Sequence, residues 1–484
     1  MSHPSPLSSI ASGIKFGTDG WRGVIAADFT FDRLKLVAPI AAQVLADTYG
    51  STTQSRLVIV GYDRRFLSEE FAQATAEAVC MAGFDVLLSD RYAPTPAFSW
   101  AAKQFNALGA LVITASHNPG KYSGLKIKSA FGGSVPPSVT QQVEARLAEP
   151  LAATATPGKL EMFNPWLGYC EGLRPKVNIA AIREAIQQGR LTVFADVMHG
   201  AAAGGLAQLL EVPIHEINSD RDPLFEGGSP EPLPRYLTKL SEQVAQSHQG
   251  STLTVGLAFD GDSDRIAAMD SQGNFLSSQI LIPILIEHLV KHHNFQGEVV
   301  KTLSGSDLMP KVAALHGLSV FETAIGYKYI ADRMLETQVL LGGEESGGIG
   351  YGTHIPERDA LLSALYVLEA IVQFGADLSD LYCQLQQRCE FISEYDRIDL
   401  PLANMEARAR LLHQLQTQPL TEVAGRKVID CNPLDGYKLR LADQSWLLIR
   451  FSGTEPVLRL YCEAATLETV HATLNWAKAW ADKA

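Results

Sequence analysis

The sequence predicts an α/β chain of four domains: three α/β domains with mixed sheets, then a smaller α+β domain. Three observations predict it. The 484 residues are too many for a single hydrophobic core. Short apolar runs alternate with helical stretches as far as about residue 392, which is the rhythm of βαβ units. After about Ser393 the texture changes to a helix, several closely spaced strands and a closing helix. No motif recurs at a short period, which excludes a solenoid.

Taken in order, Leu57–Val60 ends at Gly61 and reads as a buried strand. The alanine-rich stretch Glu69–Met81 reads as a helix, Asp85–Leu88 as a strand, Pro96–Phe105 as a helix and Ala110–Ile113 as a strand. Pro150–Gly158, rich in Ala, Thr and Pro, reads as a linker and closes a first domain over residues 1–158. Leu191–Phe194 and Thr254–Ala258 are strands of a second domain, residues 159–275. Glu298–Val300, Ser319–Phe321 and Val339–Leu341 are strands of a third, residues 276–392, with helices near Gln279–His292 and Ala360–Gln373. The fourth domain, residues 393–484, has a helix over Met405–Gln416 and strands at Lys427–Ile429, Trp446–Arg450 and Val457–Cys462. A last helix starts at Leu467, and the pattern implies an antiparallel sheet.

Composition narrows the class of function. With 46% hydrophobic and 19% charged residues, the chain reads as an ordinary soluble globular protein. A net charge of −13, from 40 basic and 53 acidic residues, argues against a general nucleic-acid binder, which needs a basic face to neutralise phosphates. A small anionic substrate stays open, because a few local arginines outweigh a distant negative total. The six cysteines show no CxxC pair or metal-finger spacing, as expected in a reducing cytoplasm. Met1–Pro6 lacks the basic and apolar regions of a signal peptide. The longest greasy stretch, Ile280–Val290, carries Glu287 and His288 and reads as broken at Pro283, far short of a membrane span.

Four charged loops carry the chemistry. Thr114-Ala-Ser-His-Asn-Pro-Gly120 follows an apolar strand, so Ser116 sits at the strand's C-terminal end as a nucleophile open to phosphorylation. Asn118-Pro119-Gly120 then turns the chain, glycine tolerating positive φ. Asp260-Gly-Asp-Ser-Asp-Arg265 offers three carboxylates at alternate positions, with Gly261 read as allowing a tight bend. They can converge on a hard cation such as Mg²⁺. An EF-hand fails, because Arg265 and Ser271 stand where that loop needs glycine and glutamate. Gly343-Glu-Glu-Ser-Gly-Gly348 sets two carboxylates and a hydroxyl among glycines, which suits a polyol, although a plain turn reads equally well. Arg450-Phe-Ser-Gly-Thr-Glu-Pro456 supplies an arginine, hydroxyls and a glycine, a small phosphate-holding concavity without a Walker loop.

With Phe16-Gly-Thr-Asp-Gly-Trp-Arg-Gly23 added, these segments resemble the α-D-phosphohexomutase superfamily of phosphoglucomutases and phosphomannomutases, in order and nearly end to end. The resemblance implies four domains around a central cleft, one signature loop from each, the last domain being TATA-binding-protein-like. It makes Ser116 the phosphoserine, with Asp260, Asp262, Asp264 and the phosphoserine holding Mg²⁺. Arg22, His117, Lys126 and Arg265 line the transfer site, and His117 and Lys126 are both candidates for the base. Gly326, Tyr327, Lys328, Glu344, Ser346 and Arg358 meet the sugar phosphate, while Arg450, Ser452, Gly453 and Thr454 grip its non-reacting phosphate.

Mannose-type members usually carry GEMSGH at the third loop and glucosamine-type members GEQSGH. Glu345 here, with the run His354-Ile-Pro-Glu-Arg-Asp359, looks more like glucose-handling members. Asp19, Ser123 and Ala360 depart from the commoner serine, asparagine and glycine, which bears on specificity more than on the reaction. The expected activity is therefore a phosphoglucomutase interconverting glucose 1-phosphate and glucose 6-phosphate, with glucose 1,6-bisphosphate as intermediate and activator. Alternatives on the same scaffold are a synthase releasing glucose 1,6-bisphosphate and a phosphomannomutase or dual-specificity mutase. A sugar-phosphate sensor would lack the serine or an aspartate, and a phosphatase would not need the far-phosphate clamp. The expected partners are hexose phosphates, with no nucleic acid or membrane, for a cytoplasmic monomer or weak dimer.

Overall fold

The computed structural model describes residues 11–482 apart from Thr18, 149–155, Gln249, Ser251 and 453–455. Met1–Pro6 and most of the Pro150–Gly158 linker therefore lie outside the described residues. Seven strands form the first sheet: β1 (Phe16–Gly17), β2 (Gly20–Val24), β3 (Leu57–Tyr62), β4 (Asp85–Ser89), β5 (Gly109–Ile113), β6 (Tyr122–Ser129) and β7 (Leu160–Phe163). Their order is β1-β2-β6-β5-β3-β4-β7. Strands β3, β4, β5 and β7 are parallel, while β6 runs antiparallel to both β5 and β2. Helices α1 (Phe31–Thr53), α2 (Ser68–Met81), α3 (Thr95–Gln104) and α4 (Pro137–Arg146) belong to this domain. All five residues of β5 are buried, as a strand covered on both faces requires. Its alternate residues feed two cores: Ala110 and Val112 join one cluster, Leu111 and Ile113 another. Strand β7 lies past residue 158 yet pairs with β4, so the first sheet extends beyond the boundary read from composition. Linker-like residues are no barrier to a strand that returns to the sheet edge.

The second sheet, β8 (Leu191–Asp196), β9 (His215–Ile217), β10 (Leu253–Phe259), β11 (Ile266–Met269) and β12 (Phe275–Leu276), is also mixed, in the order β12-β11-β10-β8-β9. With it go α5 (Pro165–Leu173), α6 (Ile179–Gln187), α7 (Gly205–Leu210) and α8 (Thr238–Ser247). The third is mixed too: β13 (Glu298–Thr302), β14 (Val320–Thr323), β15 (Val339–Gly343) and β16 (Ile349–Tyr351), in the order β14-β13-β15-β16. Its helices are α9 (Ser278–His293), α10 (Leu308–Leu315), α11 (Tyr327–Glu336), α12 (Ala360–Phe374) and α13 (Leu378–Arg388). Every residue of α12 from Ala360 to Ile371 is buried, the pattern of a helix inside a core. Asp359 caps it by accepting from Leu362 N, and Gly375 ends it at φ 63°. Phe98, Trp166, Leu206, Leu361 and Leu365 share one cluster, so the three α/β domains pack on a continuous core.

The helix expected near Gln279–His292 is α9, which continues through Pro283. Proline removes one backbone hydrogen bond, and the buried neighbours Leu281, Ile282, Ile284 and Leu285 hold the helix in place. Among the described residues no single helix is long and apolar enough to cross a membrane.

The fourth domain is an antiparallel sheet of β17 (Glu394–Pro401), β18 (Glu422–Val423), β19 (Arg426–Asn432), β20 (Tyr437–Leu441), β21 (Trp446–Phe451) and β22 (Val457–Ala464), ordered β17-β22-β21-β20-β19-β18. Helices α14 (Met405–Thr417) and α15 (Leu467–Ala481) complete it. Its own core includes Leu411, Leu447, Leu460 and Leu474. A second cluster of Leu303, Trp446, Leu448 and Tyr461 seats it on the third domain. Each signature loop follows the C-terminal end of a strand, namely β5, β10, β15 and β21, where α/β folds gather their ligand sites.

Candidate active site

Ser116 is buried and adopts φ 52°. The positive φ expected of glycine in this turn thus falls on the serine itself, a conformation that costs a non-glycine residue about 1 kcal/mol or more. Its hydroxyl donates to Asp260 Oδ2 (3.0 Å) and lies 3.4 Å from His117 Nδ1. Beneath the loop sits Arg65, also buried. Its guanidinium donates to the carbonyls of Ser116, Asn118, Pro119 and Tyr122, and Nε stands 3.2 Å from Asp63 Oδ2. Arg22 donates to Asn118 Oδ1 (2.5 Å) on the other side. Burial, with Arg265 and Arg22 nearby, pushes the His117 imidazole well below its usual pKa, so the ring is neutral.

The acidic loop packs directly on this turn. Gly261 does not take positive φ; Ser263 does, at 61°. What glycine provides at 261 is approach, since a Cβ there would stand 2.5 Å from the Ser116 carbonyl oxygen. Asp260, Asp262 and Asp264 are fully buried, with ligand oxygens within 4.8 Å of one another. Asp262 Oδ1 and Asp264 Oδ1 are buried without hydrogen-bond partners, unused acceptors of the kind a hard divalent ion takes up. The residues therefore fit a Mg²⁺ ion.

Cations balance the cluster. Lys126 Nζ lies 2.7 Å from Asp19, 2.8 Å from Asp262 and 3.0 Å from Asp264. Arg358 Nη2 lies 2.7 Å from both Asp19 and Asp264. Burial opposes the Lys126 charge, but Asp19, Asp262 and Asp264 more than offset it and raise its pKa. Burial together with Asp264 and Asp262 raises Asp260. Burial acts the same way on Asp262, where Lys126 and the Thr95 hydroxyl (2.6 Å) prevail and hold it low.

The third loop is stitched to the second. Arg265 pairs with Gly348 in an isolated β-bridge, and Ile266 N donates to Gly347 O (3.0 Å). Glu344, buried, faces Arg358 at 3.7 Å, and burial raises its pKa. Ser346 lies in the turn closed by Gly347 N on Glu344 O (3.2 Å). Glu345 turns instead to the fourth domain, where Arg397 holds it at 3.0 and 3.1 Å. Arg450 donates to Asp435 Oδ2 (3.0 Å), which also accepts from Ile325 N (3.0 Å), next to Gly326, Tyr327 and Lys328. Tyr327 is buried under Arg358, whose guanidinium is 5.4 Å from the ring centre, and Lys328 lies over Tyr329. Ser452 O accepts from Arg408 (2.8 Å), whereas Gly453 and Thr454 lie outside the described residues.

Contacts thus bring together Ser116, His117, Lys126, the three aspartates, Arg265, Glu344 and Arg358. On the border of the third and fourth domains, Asp435 ties Arg450 to Ile325, the residue before Gly326, while Tyr327 packs under Arg358, Lys328 over Tyr329, and Ser452 meets Arg408. Arg358, expected at a phosphate, is engaged here by the carboxylates of Asp19, Asp264 and Glu344. Sequence reasoning missed Asp19 as a partner of Lys126 and Arg358, Arg65 as the support of the serine loop, Thr95 and Arg397. Asp63-Arg64-Arg65 does follow strand β3, a position that marks it as a functional loop.

Family models for phosphoglucomutase/phosphomannomutase match along the chain: alpha/beta/alpha domain I over residues 13–153, domain II over 168–273, domain III over 277–389, and the C-terminal domain over 413–475. A phosphoglucomutase/phosphomannomutase of Thermococcus kodakarensis is 29% identical over 462 residues, covering 94% of this chain and 96% of that protein. A phosphoglucosamine mutase of Desulforamulus reducens is 27% identical over 473 residues, covering 95% and 97%. A crystal structure from Thermus thermophilus, provisionally named a phosphomannomutase, superposes with a TM-score of 0.83 at 31% identity, covering 97% of this chain and 99% of that one.

Proposed function

This chain belongs to the phosphoglucomutase/phosphomannomutase family of phosphohexomutases, and from that premise we propose that it interconverts glucose 1-phosphate and glucose 6-phosphate. Phosphorylated Ser116 gives its phosphoryl group to the 6-hydroxyl of glucose 1-phosphate, the P–Oγ bond breaking as the new P–O bond forms. The resulting glucose 1,6-bisphosphate turns over in the cleft, and Ser116 Oγ takes the 1-phosphoryl group back. The observation that carries this reading is the placement of Ser116 Oγ 3.0 Å from Asp260, at the edge of a buried acidic triad.

Asp260, Asp262, Asp264 and the Ser116 oxygen are the residues that would hold Mg²⁺, which when bound supplies neutralisation of phosphoryl charge. The chain's own groups do the rest. Lys126, kept protonated by its carboxylates, is suited to balance charge and not to accept a proton. Neutral His117, beside Ser116, is the group suited to take the hydroxyl proton. Glu344 is poised for sugar hydroxyls, and Arg450 and Ser452, with Gly453 and Thr454, for the non-reacting phosphate. Glucose is favoured by Glu345 and the His354–Asp359 run. Names among the relatives point to mannose and glucosamine as well, so substrate preference is what an assay must separate.

Two measurements test the proposal. A coupled assay with glucose, mannose and glucosamine 1-phosphates, run with Mg²⁺ and with or without added bisphosphate, should show fastest turnover on glucose. Faster turnover of another sugar would overturn the glucose assignment, and accumulating bisphosphate would make the chain a synthase. Ser116→Ala should abolish incorporation of labelled phosphate from the bisphosphate, and undiminished labelling would remove Ser116 from the mechanism.

A further inference from the structure

Two imidazoles and a carboxylate meet on the border of the second and third domains, away from the acidic triad. His288 and His293, near the C-terminal end of α9, both aim Nε2 at Glu369 Oε2 on α12, at 2.9 and 2.7 Å. The three prospective ligand atoms lie within 4.8 Å of one another. Glu369 Oε1 accepts from the backbone N–H of Asn178 (2.7 Å), the residue that caps α6. Fixing the second oxygen in this way is what orients a carboxylate ligand.

Charge and tautomer both bear on what the cluster holds. Glu369 is buried, and among the described residues its ion-pair partners are these two imidazoles alone. A buried carboxylate requires a compensating charge. Two neutral rings would offer only N–H dipoles, crowded onto a single oxygen. His288 Nδ1 is buried and unpartnered, so contacts at Nε2 decide where the ring's proton sits. An open cavity of about 700 Å³, lined by Lys176, Asn178, His292, His293, Thr353 and Glu369, adjoins the cluster and admits water as a further ligand.

We propose that His288, His293 and Glu369 form a second metal site, for a borderline divalent ion of the zinc class. Two imidazoles with one carboxylate suit Zn²⁺ and related ions, whereas Mg²⁺ prefers an all-oxygen set. The ligands sit on two helices of the third domain, and the carboxylate is steadied from α6 of the second. Binding therefore fastens the two domains together and stabilises the fold by mass action.

Cobalt titration of the full-length, metal-stripped protein, with saturating Mg²⁺ on the acidic triad, tests this. One equivalent of Co²⁺ should give a visible d–d band typical of a four-coordinate nitrogen-containing site, and Zn²⁺ should displace it. His293→Asn should abolish the band, and Glu369→Gln should weaken binding by about tenfold or more. Zn²⁺ should raise the unfolding temperature of wild type but not of His293→Asn. Absence of the band in wild type overturns the proposal without recourse to any variant. So does a band that survives His293→Asn, or one that Asp262→Asn removes, since the latter places Co²⁺ on the triad.

Discussion

Replacing Arg65 by lysine keeps the charge beneath the serine loop and removes the fork. Arg65 Nη1 donates to Pro119 O (3.2 Å) and Tyr122 O (3.1 Å), and Nη2 donates to Asn118 O (2.7 Å) and to Ser116 O. An ammonium gathers its donors at one point, so it cannot span these four carbonyls and loses at least two of them. Hydrogen bonds to a charged group are worth about 1.5–3 kcal/mol each. Allowing for relaxation, the ordered loop should lose about 3 kcal/mol, or roughly a hundredfold in its closing equilibrium. Ser116, held at φ 52°, then relaxes out of the left-handed region. Hydrogen exchange read by mass spectrometry should show the 114–122 segment exchanging about a hundredfold faster. Phosphate uptake on Ser116, followed by intact mass, should slow by a similar factor, with a smaller change in KM for the sugar phosphate. If Arg65→Lys exchanges and is phosphorylated within about threefold of wild type, the guanidinium is not what holds the loop.

Other outcomes follow from neighbouring contacts. Arg450→Ala should raise KM for hexose phosphates by about tenfold or more while kcat changes little, and wild-type steady-state kinetics would refute the clamp. Lys126→Met leaves Asp19, Asp262 and Asp264 with less compensation, so a Mg²⁺ titration of activity should show tighter metal binding and turnover reduced by about a thousandfold; turnover within about tenfold of wild type would refute its role. Burial, with Lys301 alongside, lowers the Lys438 pKa to about 8, so between that pH and the ordinary lysine range the unfolded chain binds more protons. The cost of burying this charge is full below about pH 8 and is relieved as pH rises above it. The difference in unfolding temperature between wild type and Lys438→Met should therefore move in favour of wild type from about pH 8 to pH 10, and a pH-independent difference would refute the shift.

Much of this was legible in residues near one another in sequence. The strands before Ser116, Asp260, Glu344 and Arg450 are short apolar runs ended by polar loops, and local pattern suffices to place them. What pattern could not supply were contacts between distant segments. Arg65 reaches Ser116 across 51 positions and Thr95 reaches Asp262 across 167, and neither arginine nor threonine announces its partner. Gly261 was legible as a special position but not for its reason, because close approach depends on what lies opposite. The helix across Pro283 was legible from its apolar pattern, but the burial of its flanks that lets the interior tolerate proline is a tertiary property.

Asp435 holds Arg450 and the Ile325 amide with the same oxygen. On the proposed reading, an arriving phosphate takes the guanidinium from an internal rival instead of from bulk water. The net gain on capture is the difference between two anions, so dianionic ligands profit most and departure is cheap. A ligand that has to let go, rotate and be caught again by its other end is served by a grip of that kind, and the loosened carboxylate carries news of occupancy to the segment beside Gly326.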